Sequence, residues 1–209
     1  WSLSDLSRPR AQGLVCVRNY GLMYLELHTA SAFSFLDGAS TPEALVERAA
    51  ALGYSALALL DRDGVYGVPR FHKAAMTAGI RPIIGCELTI RTERINGSQA
   101  NKKRSTPLIR RLPVLVESKK GYRHLCQLVT RMKLRSPKGK GSLTLDDFEG
   151  STEGLVALAG QSIFTSSQTD VDEIFNRLLG LFGRSNVYVE VQRHLLRDEE
   201  SQNRFLIDL

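Results

Sequence analysis

Cysteine is scarce in this sequence. Its three thiols, Cys16, Cys86 and Cys126, are odd in number and far apart, with no C-x-x-C pair. A disulfide-stapled small domain is excluded, and reduced thiols are the expectation. No apolar run is long enough to span a bilayer. The first twenty residues are broken by Asp5, Arg8, Pro9 and Arg10, so they lack the apolar stretch of a secretory signal, and a cytoplasmic address is expected. Aromatic residues make up only 7%, yet a hydrophobic content of 43% suffices to bury the core of one soluble α/β domain. The chain begins at Trp1 and stops at Leu209 within NRFLIDL, an apolar-periodic run without a helix-ending Gly, Asn or Pro. Both ends read as cut, so a fragment is expected.

What is present is a regular alternation of patterns. MYLELH (23–28) is strand-like and is followed by the turn-rich FSFLDGAST. A helix then starts where Ser40 or Thr41 can cap it, Pro42 fits the first position and Glu43 can complete a capping box; Gly53 ends it. SALALLD (55–61) reads as a buried strand, VPRFHKAAMTAG as a second helix ending at Gly79, and RPIIGCELTI as a third strand. This order implies parallel pairing, with chemistry gathered at the carboxyl ends of the strands, where His28, residues 61–64 and Glu87 fall. The stretch TERINGSQANKKRSTP, within a loop insertion near 92–111, breaks the pattern. It resumes with strands at 112–117, 154–160 and 186–192, and with helices in GYRHLCQLVTRMKL, around TLDDFEG and in VDEIFNRLLGLFG.

The net charge of +6 is unevenly placed. Lys119, Lys120, Arg123, Arg131, Lys133, Arg135, Lys138 and Lys140 follow one another within 119–140 with no acidic residue among them. This segment could contact a phosphate backbone in a salt-dependent, sequence-independent way, or it could be a solvated helix face followed by a loop. No aromatic residue is interleaved after Tyr122, which disfavours a stacking platform for single strands.

Three segments, YLELHTASAFSFLDGAS, ALGYSALALLDRDGVYGVPRFHKAA and AGIRPIIGCEL, stand in the order in which similar segments open the polymerase-and-histidinol-phosphatase (PHP) domain of bacterial C-family DNA polymerases, the DNA polymerase III alpha-subunit type. KKGYRHLCQLVTRMKLRSPKGKGSLTLDDFEGSTEGLVALAG and NVYVEVQRHLLRDEE resemble the error-prone branch of that family. The resemblance covers residues 23–209, after an N-terminal extension at 1–22. It implies an α/β fold, the PHP-type distorted (β/α)7 TIM-like barrel, incomplete at its C-terminal end. An open barrel of this kind is expected to expose strand edges and to be poorly soluble.

Active PHP domains hold clustered divalent metals that lower the pKa of a bound water and stabilise charge on a leaving oxygen. Carried over residue by residue, the resemblance places metal ligands at His28, Asp37 and Glu87, with His194 in the place of a further histidine. It also shows losses. Ala30 stands where the second histidine of an H-x-H pair belongs, and Arg62 replaces the histidine of a D-H-D-G turn, now Asp61-Arg62-Asp63-Gly64. Arginine has no lone pair to offer. Another expected histidine is replaced by Arg110 or Arg111. A guanidinium at this place could neutralise Asp37 and Glu87 through charge-assisted hydrogen bonds. Other readings stay open: His28 as a hydrogen-bonded strand-end histidine, Asp37 and Asp63 as turn residues, His72 and His124 as ordinary helix residues, Cys86 as a packed thiol, and Tyr66 and Gly67 as loop formers.

The resemblance therefore implies the N-terminal PHP module of an error-prone DNA polymerase, serving replication or translesion repair, and structural rather than catalytic in itself. No cofactor is expected, or zinc or manganese if the site is active. The expected partners are the remainder of the polymerase chain and, through it, DNA, with no membrane. The rivals are a metal-dependent phosphoesterase or 3′-5′ exonuclease, and a basic nucleic-acid-binding module.

Overall fold

The computed structural model describes residues 24–92, 107–161, 163, 168–192 and 199–208. Its elements are β1 (Glu26–Thr29), α1 (Pro42–Ala51), β2 (Ala56–Arg62), α2 (Val68–Ala78), β3 (Arg81–Thr92), β4 (Leu108–Val116), α3 (Lys119–Arg135), β5 (Leu155–Ala159), α4 (Gln168–Phe182), β6 (Val187–Val189) and α5 (Glu199–Ile207). The strands form one curled sheet in sequence order, β1 to β6. β1, β2 and β3 pair in parallel, β4 runs antiparallel to both neighbours, and β5 pairs in parallel with β6. The result is the expected α/β half-barrel.

Local chemistry explains the element boundaries. Thr41 caps α1, its Oγ1 accepting from the Ala44 amide at 3.3 Å, with Pro42 as first helical residue. Glu43 does not close a capping box as expected. With Thr41 as the cap it sits one position too early, and it instead receives a bidentate pair from Arg70 at 2.7 and 2.8 Å, tying α1 to α2. Gly79 ends α2 at φ 71°, a left-handed conformation that suits glycine.

The uninterrupted apolar run in β2 is explained by burial on both faces. Leu57 and Leu59 pack outward with Val46, Ala49, Phe71 and Ala75. Ala56, Ala58 and Leu60 join Ile83, Leu115, Val156 and Leu158 in a separate cluster. A third cluster packs Leu125, Leu128 and Met132 of α3, with Leu178 and Phe182 of α4, on Cys86, Leu88, Ile90, Leu112, Val114 and Leu155.

Three strands differ from the sequence reading in their boundaries. β3 continues two residues past the expected Ile90 to Thr92, and β4 begins at Leu108 rather than 112, because the two strands form an antiparallel ribbon pairing Thr92 with Leu108. Residues 108–111, expected within the loop insertion, are therefore strand; residues 93–106 of that insertion lie outside the described residues. The strand expected at 186–192 is shorter, Val187–Val189. Among the described residues no helix is long and apolar enough to cross a membrane.

Candidate functional site

The carboxyl ends of β1 and β2 and the middle of β3 converge on a cleft of about 180 Å³ lined by His28, Ala30, Ser34, Asp37, Leu60, Glu87 and Gln192. His28, Asp37 and Glu87, far apart in sequence, thus share one surface with Ala30. His194 lies outside the described residues.

Register places the two arginines. Arg62, the last residue of β2, stands directly across from Glu87. It turns to the loop after β1 and pairs with Asp37, while its Nε is buried with no hydrogen-bond partner. On β4, Pro113 opposes Glu87 and Arg111 opposes Thr89, so Arg111 is two residues along on the same face. Its Nη1 donates to Glu87 Oε2 at 2.9 Å. Arg110, one residue earlier, faces the other way: it is 2% exposed, its Nε donates to Thr92 Oγ1 at 2.9 Å and its guanidinium reaches the Ile163 carbonyl. Of the two candidates for the missing histidine, strand alternation brings only Arg111 to Glu87. The expected neutralisation of both carboxylates by one guanidinium is corrected to a division between Arg62 and Arg111.

The remaining imidazole is also engaged. His28 Nδ1 lies 2.7 Å from Glu190 Oε1 and 3.1 Å from the Gln192 side-chain amide, and its Nε2 lies 3.8 Å from Glu87 Oε1. Burial disfavours the imidazolium. The hydrogen bond to Glu190 and the charges of Glu190, Glu87 and Glu26 outweigh that burial and raise the pKa above its ordinary value.

The loop that carries Asp37 is clamped by β2. Asp61, 2% exposed, accepts from the Ser31 amide at 2.8 Å, from Ser31 Oγ at 2.9 Å and from Ser34 Oγ at 2.8 Å. Ser34 Oγ in turn accepts from the Arg62 amide at 3.0 Å. Gly67 packs here, since a Cβ would lie 2.6 Å from Asp61 Oδ2. Asp63, at φ 51°, accepts from the amide and hydroxyl of Thr89 at 2.7 and 2.8 Å, which fastens the turn to β3. Cys86 is buried, its Sγ accepts from the Gly64 amide at 3.2 Å, and burial pushes its thiol pKa far up, as for a packed, unreactive cysteine. His72 is exposed on α2, and His124 Nδ1 lies 3.0 Å from the Glu153 carbonyl.

Sequence reasoning missed Glu190, Gln192, Ser31, Ser34 and the buried role of Asp61. A signal existed for the first two. In NVYVEVQ the alternate residues Tyr188, Glu190 and Gln192 share one face, so polar groups on the barrel side could have been read as site residues.

The basic segment is less free than its sequence suggests. It starts α3, and Lys120 pairs with Glu153. Arg135 pairs with Asp147 at 2.5 Å, and Arg131 donates to the Asp147 carbonyl at 2.6 Å. The acidic stretch expected as a short helix is a 3-10 turn, Leu145–Phe148, whose Asp147 is presented to α3. Three of the eight cations are thus bound to neighbours outside the segment, leaving Lys119, Arg123, Lys133, Lys138 and Lys140 with no ion-pair partner among the described residues.

The half-barrel and its histidine- and carboxylate-lined cleft define a PHP-type unit, and the PHP domain family matches residues 26–194. The chain belongs to that family. It is 36% identical over 195 residues, 89% of its length, to an error-prone DNA polymerase of Cutibacterium acnes, and 46% identical over 131 residues, 62% of its length, to one of Mycobacterium bovis. It is 33% identical over 196 residues, 90% of its length, to the DNA polymerase III subunit alpha of Treponema pallidum. The chain spans 17%, 11% and 16% of those three proteins. The fold is shared with a protein described as a metal-dependent phosphoesterase from Bifidobacterium adolescentis, with a TM-score of 0.57, 15% identity, and 88% of this chain and 84% of that one covered. It is shared also with an amidohydrolase of Chromobacterium violaceum, with a TM-score of 0.56, 17% identity, and 88% and 82% covered.

Proposed function

We propose that this chain is the PHP module of an error-prone DNA polymerase and that it acts as a structural unit rather than a phosphoesterase. The observation that carries this reading is the pairing of Glu87 with Arg111 and of Asp37 with Arg62, in a cleft where Ala30 replaces a ligand. Guanidinium groups supply positive charge in fixed positions, which stabilises carboxylates that a divalent ion would otherwise hold. A metal would have to displace both arginines and compete with Glu190 for His28. The residues as arranged do not fit a divalent cluster, and among the described residues no group of three or more His, Cys, Asp or Glu is placed to hold an ion.

Similarity to the error-prone polymerases supports a place within a larger polymerase chain, with DNA engaged through the rest of that chain. The test is metal analysis of the purified chain after exposure to zinc or manganese and dialysis, with hydrolysis of a chromogenic phosphodiester and of single-stranded DNA measured beside an Asp37→Ala control. Substoichiometric metal and no Asp37-dependent hydrolysis are expected. Stoichiometric metal with hydrolysis abolished by Asp37→Ala would establish the phosphoesterase or exonuclease instead.

A further inference from the structure

A second cleft, of about 330 Å³, shares no lining residue with the first. It lies beside the opening residues of β3 and the end of β4, with Pro82, Ile83, Ile84 and Val116 as apolar lining. The first turn of α3 contributes Ser118, Lys119, Tyr122 and Arg123, and Arg81 and Glu117 complete it. Lys119 and Arg123 stand four residues apart, on one side of the helix, and both are exposed. Unlike Lys120, Arg131 and Arg135, neither has an ion-pair partner among the described residues. The Ser118 hydroxyl accepts from the Gly121 amide at 3.1 Å and keeps its own proton, so it can add one hydrogen bond to an anion held chiefly by the side-chain cations.

Lys119 and Arg123, with no ion-pair partner among the described residues, outnumber Glu117 and give the lining an excess of positive charge around an apolar centre. A duplex phosphate backbone matches this poorly, because its bases are stacked inside and it presents no apolar group to fill the centre of the cleft. A peptide that alternates carboxylates with a large apolar side chain satisfies both parts. We propose that this cleft docks a short acidic segment of a partner protein. An apolar side chain enters against Ile84, Val116 and Tyr122, and flanking carboxylates pair with Lys119 and Arg123. The apolar anchor supplies most of the affinity, and the exposed rim charges supply selectivity and salt dependence.

The test uses the 209-residue chain and a fluorescein-labelled octapeptide of six acidic residues around a central Leu-Phe pair, read by fluorescence anisotropy. Binding should weaken at least tenfold when Leu-Phe becomes Ser-Ser, and at least tenfold in the Lys119→Glu/Arg123→Glu variant. The milder Lys119→Gln/Arg123→Gln variant, checked by circular dichroism for an unchanged fold, should show a smaller loss in the same direction. Absence of binding at millimolar peptide overturns the proposal, as does binding indifferent to the Leu-Phe pair or to both charge variants. Tighter binding of a thymidine oligonucleotide of equal charge through the same two residues would assign the cleft to nucleic acid instead.

Discussion

Replacing Arg111 by methionine breaks the contact on which the structural reading of the cleft depends. The substitution keeps the aliphatic bulk and removes the guanidinium, leaving the His28 imidazole, at 3.8 Å, as the remaining ion-pair partner of Glu87 among the described residues. A hydrogen bond to a charged group contributes about 1.5–3 kcal/mol. The Arg111 and Glu87 side chains are 28% and 19% exposed, so solvent screening reduces that to about 1–2 kcal/mol for the pair. For a chain of this length each kcal/mol corresponds to roughly 2–4 °C in Tm, so Arg111→Met should lower Tm by about 2–8 °C. Urea unfolding of the parent, Arg111→Met, Glu87→Gln and the double variant gives the coupling directly, provided the transitions are two-state. Glu87→Gln should offset part of the Arg111→Met loss. A coupling indistinguishable from zero, or an Arg111→Met protein more stable than the parent, would refute the idea that the guanidinium stabilises this carboxylate.

Asp61→Ala leaves the buried Ser31 amide and two hydroxyls without their acceptor, and should cost about 2–4 kcal/mol. It should also speed hydrogen exchange at the Ser31 amide; unchanged exchange there would show that the loop is held by other contacts. Asp147 offers a pH test. Burial acts to raise its pKa, but the Thr144 backbone hydrogen bond and Arg135 outweigh it, so the folded value lies below that of an ordinary aspartate. A depressed folded pKa means that its contribution is present above about pH 4 and is lost as the pH falls through the lowered value. The stability gap between the parent and Asp147→Asn should therefore be widest near neutrality and close on acidification, and a gap that grows on acidification would contradict the assignment.

Much of the fold was legible because burial leaves a direct trace in residue order. The doubly buried β2 is a run of apolar residues, and the Thr41-Pro42 start and the Gly79 stop mark helix ends by their own chemistry. The candidate site was legible only in part. His28, Asp37 and Glu87 could be marked by their surrounding motifs, but which arginine met which carboxylate could not be read from a linear order. That choice follows from β3–β4 register, which turns Arg111 toward Glu87 and Arg110 toward Ile163.

The sequence by itself determined the order of strands and helices, the presence of an alanine and an arginine rather than imidazoles at positions 30 and 62, and the concentration of positive charge in 119–140. These depend on residue identity and spacing along the chain. Tertiary structure alone decided that Glu190 comes to His28 from 162 positions away and that Asp147 and Glu153 neutralise part of the basic helix. It alone decided that an apolar cleft opens beside Lys119 and Arg123. Such pairings depend on how the sheet curls and which face of each strand turns inward, quantities set by packing between segments rather than by any one of them.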